Sequence, residues 1–250
     1  MLQTNTIYNG DCLEIMEQID IGSVDFVFTD LPYGTTKAKF DTPLDLAAFW
    51  AQMNRIIKPN GCIALWSSQP FTTDLIASNR KMFRYEWIIE KNRSTGFLNA
   101  KKQPLKAHEE VLIFYKKSPT YNPQKTTGHP RKIALVEHHL HCNSRSGDNY
   151  GSAGPSNYDS TERYPRSVLK YKWPDRKGNR HPQQKPLDAC EYFIRTYTNE
   201  GNLVLDCTTG SGTICKAAQN TNRAYIGIEK NADFYKAACE WLKNSEKSGE

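Results

Sequence analysis

Two short stretches carry residues whose types and spacing could do chemistry. Between Ser23 and Gly34 a nearly continuous apolar run, Val24, Phe26, Val27 and Phe28, ends at Asp30-Leu31-Pro32-Tyr33. Such a run suits a strand buried on both faces of a parallel sheet. Pro32 cannot continue a ladder and biases Leu31 away from the helical region, so the chain must turn with Asp30 at the sheet's end. A carboxylate and an aromatic left there can accept a ligand's N–H groups and offer it a stacking face. In Leu203 to Thr213 a second apolar strand ends at Asp206, and Gly210-Ser211-Gly212 leads into Thr213 and a helix. A further strand, Ala224 to Ile228, ends at Glu229, twenty-three residues past Asp206. A strand-end acid, glycines that let backbone approach a ligand, and an acid spaced to accept ribose hydroxyls make the nucleotide-cofactor form of βαβ.

The residues also narrow the cofactor. A dinucleotide site wants a third glycine so that pyrophosphate can rest on a helix N-terminus, and that glycine is missing, which argues against an NAD oxidoreductase. Asp206 repels phosphate and suits a cationic, amine-bearing ligand. S-adenosylmethionine, with a sulfonium, an amine and a ribose but no phosphate, meets those terms.

The elements that must position these residues follow from periodicity. Ile7 and Tyr8 form an edge that runs into Asn9-Gly10-Asp11, and Asp11 stands at capping-box spacing from Glu14 at the start of a helix with Leu13, Met16 and Ile19. Leu46, Phe49, Met53 and Ile56 mark a helix stopped by Pro59-Asn60-Gly61, after which Cys62 to Ser67 reads as a buried strand. Pro70 to Asn79 predicts a short helix, Arg84 to Glu90 and Glu110 to Tyr115 predict strands, and Pro186 to Thr198 an amphipathic helix. The alternation predicts a doubly wound α/β fold with a mostly parallel sheet, in which ligands sit outside the carboxyl ends of the strands.

Charge is unevenly placed. The formal net charge is +6, and residues 118 to 180 hold eleven Lys or Arg against five acids, so that segment carries the whole excess. It is rich in Pro, Gly and Tyr without sustained period, which predicts an irregular basic insertion and a division into 1–117, 118–180 and 181–250. Arg131, Lys132, Arg145, Arg163 and Arg166 in it, with Lys101, Lys102 and Lys106 in the basic loop Lys91 to His108, suit a polyanion. The cluster His138, His139, His141 and Cys142 has no second ligand pair at zinc spacing, and no metal is expected. Seven scattered cysteines without a CxxC pair indicate neither a disulfide framework nor a zinc ribbon. With no leader-like start and no apolar stretch of spanning length, the sequence predicts a soluble cytoplasmic protein with no membrane partner.

Five segments then resemble, in order, the amino-methyltransferases of DNA with the permuted "beta" motif arrangement. Asp30-Leu31-Pro32-Tyr33 is similar to the family's Asp-Pro-Pro-Tyr catalytic motif, with Leu31 for the first proline. Asp206-Cys207-Thr208-Thr209-Gly210-Ser211-Gly212-Thr213 is similar to its Asp-Pro-Phe-x-Gly-Ser-Gly-Thr cofactor motif, departing at 207 and 208. His181-Pro182-Gln183-Gln184-Lys185-Pro186 resembles the His-Pro-Thr-Gln-Lys-Pro segment, Asn9-Gly10-Asp11-Cys12 the N-terminal adenosine contact, and Ile226-Gly227-Ile228-Glu229 the ribose-binding strand. The resemblance covers nearly all of the chain except 118 to 180.

The resemblance implies the class I S-adenosylmethionine-dependent methyltransferase fold of about seven strands, with 118–180 as the target recognition region. It implies Asp11, Cys12, Asp30, His181, Lys185, Asp206, Thr208, Gly210, Ser211, Gly212, Thr213, Glu229 and Lys230 around S-adenosylmethionine, with Lys185 near the cofactor's carboxylate. Methyl transfer to N6 of a flipped-out adenine in double-stranded DNA is then expected, with Asp30 and the Leu31 carbonyl accepting the amine's N–H groups and Tyr33 stacking on the base. Cytosine-N4 is the alternative target and a catalytically inactive DNA-binding relative the alternative class. A restriction endonuclease counterpart and a homodimer are left open by the sequence. Leu31 in place of proline is expected to loosen the catalytic turn.

Overall fold

The computed structural model describes residues 2–34, 41–134, 158–174 and 184–244. Its larger unit, Met1–Asn122 with Ser167–Glu250, is built on an eight-stranded sheet. In chain order the elements that matter are β1 (Thr6–Asn9), α1 (Cys12–Met16), β2 (Val24–Thr29), α2 (Leu46–Ile56), β3 (Ile57–Ser67), α3 (Phe71–Ser78), β4 (Phe83–Thr95) and β5 (Lys106–Phe114). After β6 (Lys132–Ala134) and β7 (Tyr158–Ser160) come β8 (Val168–Tyr171), α4 (Leu187–Tyr197), β9 (Leu203–Asp206), α5 (Thr213–Asn220), β10 (Ala224–Glu229) and α6 (Ala232–Asn244).

The sheet order is β1-β10-β9-β2-β3-β5-β4-β8. β2 lies parallel between β9 and β3, so the chain winds outward in opposite directions from the β9–β2 junction. A doubly wound sheet opens its crevice at such a reversal. Only β5 runs antiparallel, to both β3 and β4. The apolar run of β2 reflects burial on both faces. Phe26 and Phe28 pack with Trp66, Phe193 and Tyr197 on one side, while Val24, Val27 and Leu31 pack with Phe49, Met53 and Ile63 on the other. Between Val24 and Phe26 the register shifts, and Asp25 fills the gap by pairing with Lys58 at 2.7 Å and accepting from the Leu203 amide at 2.9 Å.

Leu31 puts its side chain into the second core layer, 1 % exposed, a burial that contributes roughly 1.5–3 kcal/mol. One expectation changes: 118–180 is not irregular throughout. Val168–Tyr171 pairs with β4 from Ile88 to Lys91, extending the main sheet, and Trp173 packs against its core. The strand is only four residues long and largely open on one face, so it leaves little periodicity to read.

The smaller compact unit is Pro123–Arg166. Its β6–β7 ladder and the Thr126–Arg163 bridge are antiparallel. Arg131 grips Asp159 through two hydrogen bonds of 2.7 and 2.5 Å, and Lys125 pairs with Glu162 at 3.0 Å.

Candidate active site

Asp30 and Asp206 stand at the ends of neighbouring strands, since Phe26 and Val27 of β2 face Val204 and Leu205 of β9. Between them opens a cleft of about 570 Å³ lined by Gly10, Asp11, Cys12, Asp30, Leu31, Pro32, Lys185, Asp206 to Ser211, Thr213, Glu229, Lys230 and Phe234. The sequence-predicted residues 11, 12, 30 to 32, 185, 206, 208, 210, 211, 213, 229 and 230 therefore come together, though they derive from both halves of the chain. Tyr33 packs on Phe71 immediately behind the rim, with ring centroids 5.0 Å apart.

Asp30 belongs to a chain of alternating charges. Lys185 Nζ lies 3.0 Å from Asp30 Oδ2 and 2.8 Å from Glu109 Oε2, and Lys91 Nζ lies 3.2 Å from Glu109 Oε1. The Tyr33 hydroxyl donates to Asp30 Oδ1 at 2.6 Å. Burial pushes the Asp30 carboxyl up, and Lys185 and Tyr33 offset only part of that. Burial opposes charge on Lys185 too, but its two carboxylate partners outweigh this and raise it. Burial and the neighbouring Asp30 carboxylate push the Tyr33 phenol well up, so it remains a donor. Sequence reasoning places Lys185 toward the cofactor; the structure places its ammonium on the catalytic corner, over the Trp66 ring at 5.1 Å.

Among the described residues no cation pairs with Asp206. The Thr29 hydroxyl donates to Asp206 Oδ1 at 2.8 Å, the Thr208 hydroxyl donates to the Asp30 carbonyl at 3.0 Å, and the two hydroxyl oxygens are 2.7 Å apart. Burial pushes the Asp206 carboxyl up to about 7, offset only in part by the Thr29 hydroxyl and the Thr208 amide, so near neutral pH it can take up a proton and share it with these hydroxyls. Thr208, a departure from the family's pattern, thus ties the cofactor loop to the catalytic turn.

The loop itself is built for close approach. Gly210 and Gly212 have φ of 53° and 83°, a region that favours glycine, and a Cβ on Gly212 would lie 3.0 Å from that of Ala238. Ser211 and Thr213 hydroxyls pair at 2.7 Å beneath the turn. Glu229 accepts from the Gly210 and Asn231 amides, each at 2.7 Å, which fixes the carboxylate against the loop while leaving lone pairs for further donors. Asp11 caps α1 through the Leu13 amide at 2.9 Å and meets Lys230 at 3.0 Å, so the capping and cleft-lining roles coexist. Asp11, Asp30, Asp41, Asp45 and Glu229 outnumber Lys185 and Lys230, both already paired to acids, even with Asp206 neutral. A cationic, amine-bearing ligand fits this lining better than a phosphate does.

The basic residues separate. Lys101 and Lys102 are exposed in the β4–β5 turn, Lys106 is half-buried where β5 starts, and Lys132 and Arg166 are exposed. Arg131 is engaged by Asp159, and Arg163 donates to the carbonyls of Pro130, Ser160 and Glu162. These two hold the small unit together, a role that composition cannot distinguish from polyanion binding. His181, Arg145 and the His138–Cys142 cluster lie outside the described residues. Sequence reasoning missed Lys91 and Glu109. The one available signal was an acid pair, Glu109-Glu110, at the head of an apolar strand.

Fold and site together define a class I methyltransferase. The chain belongs to the DNA methylase family of N6 and N4 amino-methyltransferases, whose model matches residues 24–240. Its cofactor is therefore S-adenosylmethionine and its substrate DNA. It is 28 % identical over 245 residues to the type II methyltransferase M.HpaI of Haemophilus parainfluenzae, covering 93 % of this chain and 72 % of that one. It is also 28 % identical over 257 residues to the DNA adenine methyltransferase YhdJ of Escherichia coli K12, covering 96 % and 83 %. Among solved structures, the cytosine-N4-specific PvuII DNA methyltransferase superposes with a TM-score of 0.67 at 16 % identity over 100 % of this chain and 95 % of that one. No helix among the described residues is long and apolar enough to cross a membrane.

Proposed function

We propose that the protein methylates N6 of an adenine flipped out of duplex DNA, with Asp30 as the acceptor for the target amine. The observation that carries this reading is the catalytic corner, where Asp30 and Pro32 line the same cleft as Asp206 and Glu229. Asp as the first residue of the motif and the likeness to an adenine methyltransferase over nearly the whole chain favour adenine over cytosine. Likeness to type II methyltransferases supports a restriction endonuclease counterpart.

An exocyclic amine is a poor nucleophile because its lone pair is delocalised into the ring. S-adenosylmethionine supplies an electrophilic methyl on a sulfonium, so no covalent enzyme intermediate is needed. Asp30 and the Leu31 carbonyl accept the amine's two N–H groups, draw the nitrogen toward tetrahedral geometry and stabilise the positive charge that develops there. Tyr33, braced by Phe71, stacks on the base and lends Asp30 a donor until the amine displaces it. Lys185 favours the charged form of Asp30 against the burial that opposes it, and Glu109 keeps the ammonium from collapsing wholly onto Asp30. Glu229 accepts the ribose hydroxyls with the lone pairs its backbone partners leave. Asp11, Cys12, Thr208, Gly210, Ser211, Gly212, Thr213 and Lys230 form the rest of the cofactor surface, and residues 123–166 contribute to reading the recognition sequence.

The reading is tested by mass spectrometry of nucleosides and methylation-sensitive sequencing of DNA from cells with and without the protein. N6-methyladenine at a defined sequence is expected. N4-methylcytosine in its place would remove the adenine assignment, and no modified base would remove the activity.

A further inference from the structure

The β4–β5 hairpin carries an apolar tip that packing leaves bare. Phe97 is 81 % and Leu98 100 % exposed, in a 3-10 turn entered through Gly96 at φ 88°. All residues from 92 to 105 are exposed. The sequence from Lys91 to Lys106 contains Arg93, Lys101 and Lys102 and no Asp or Glu. Two adjacent large apolar side chains in water, on a hairpin whose charged residues are all cations, point to a partner that is both anionic and able to receive apolar groups. Duplex DNA is both, since its phosphates surround a stack of bases.

Strand register says where this tip stands. Ser67, at the carboxyl end of β3, pairs with Glu110, and Ile89 pairs with Glu109, the acid that holds Lys185 beside Asp30. From that rim β4 continues through Thr95, which pairs with Lys106. The hairpin therefore leaves the sheet at the catalytic end, and six residues of strand carry it up to roughly 20 Å farther. A groove of B-DNA is about 8 Å deep, so a hairpin of this length reaches the stack while its root stays at the Asp30 corner.

Resting on the DNA methyltransferase reading, we propose that Phe97 and Leu98 are a wedge that enters the base stack beside the target nucleotide and stabilises its flipped state, while Lys101 and Lys102 seat the hairpin on phosphates. The wedge offsets the unstacking that extrusion costs, a cost that is smaller when the target base is already unpaired. That difference gives the test. Single-turnover methylation is measured on a duplex carrying the site found by sequencing and on one whose target base faces a mismatch. Phe97→Ala/Leu98→Ala is expected to slow the matched duplex by roughly tenfold or more and the mismatched one by no more than about twofold. Lys101→Ala/Lys102→Ala is expected to weaken binding with a reduced salt slope and to slow both duplexes alike. Equal losses on the two duplexes for the apolar variant, no loss on either, or its conversion of a dimer into a monomer in sedimentation would overturn the wedge. Failure of the unaltered protein to methylate any DNA would instead overturn the reading beneath it.

Discussion

Two aspartates at the ends of adjacent strands have met opposite fates. Asp30 shares Lys185 with Glu109 and accepts from Tyr33, so its charge is balanced by a buried cation. Asp206, one strand away, has among the described residues only a hydroxyl and an amide to offset its burial, and its carboxyl is pushed up to about 7. Residue type and strand-end position are the same in both. What differs is whether a distant segment delivers an ammonium: at Asp30 it offsets part of the burial that opposes the charge, whereas Asp206, without it, can share a proton with neighbouring hydroxyls.

The most direct way to break the comparison is Asp30→Ala. Methyl transfer is expected to fall by roughly 100- to 1,000-fold, as for loss of a group aimed at developing charge, with S-adenosylmethionine binding retained in calorimetry. Unchanged turnover would sink the assignment of Asp30. Next is Leu31→Ala, which removes the anchor of the same corner. A loss of about 2–4 kcal/mol is expected from an emptied core position, read as a lower midpoint in urea with an unchanged slope.

Asp206 makes a prediction of opposite character. Its folded pKa is raised, so its contribution to stability is fully present below the unfolded value near 3.8 and is lost as pH rises toward about 7. Between pH 5 and 8 this loss amounts to at most about 2–3 kcal/mol. Asp206→Asn, which can donate to Thr29 at every pH, should flatten that part of the pH–stability curve, and a curve parallel to the unaltered protein's would count against the shared proton. The smallest effect expected is that of Glu109→Gln. Freed from Glu109, Lys185 turns to Asp30 alone and competes with the target amine, so turnover should fall roughly tenfold. Because Glu109 also pushes the Asp30 carboxyl up, the acid limb of the rate profile should move to lower pH. A fall in turnover with no such movement would assign Glu109 to packing only.

Much of the molecule was legible in its residues because the signals were local. Two apolar runs ending in acids, a glycine turn and helix caps declared the β2 and β9 ends, and their chain order matched a permuted methyltransferase. The anchoring of Leu31 is not legible in the sequence because the core that its side chain enters is assembled from distant segments. Val168–Tyr171 escaped notice because a short edge strand takes its identity from its partner β4.

The sequence by itself thus determined the doubly wound fold, the two strand-end acids and the glycine loop, each of which follows from periodicity or from backbone rules within a dozen residues. Only the tertiary structure decided which charges meet. Lys185, Glu109 and Lys91 lie on three separate segments and form a charge chain that ends on Asp30 through Lys185 alone, because the sheet order sets β2 near β5 and β4. Likewise, only packing could separate Arg131, spent on Asp159, from Lys101 and Lys102, left to face solvent beside a bare Phe97 and Leu98. Composition counts charges, whereas electrostatics acts over a few ångströms and depends on where the fold puts them.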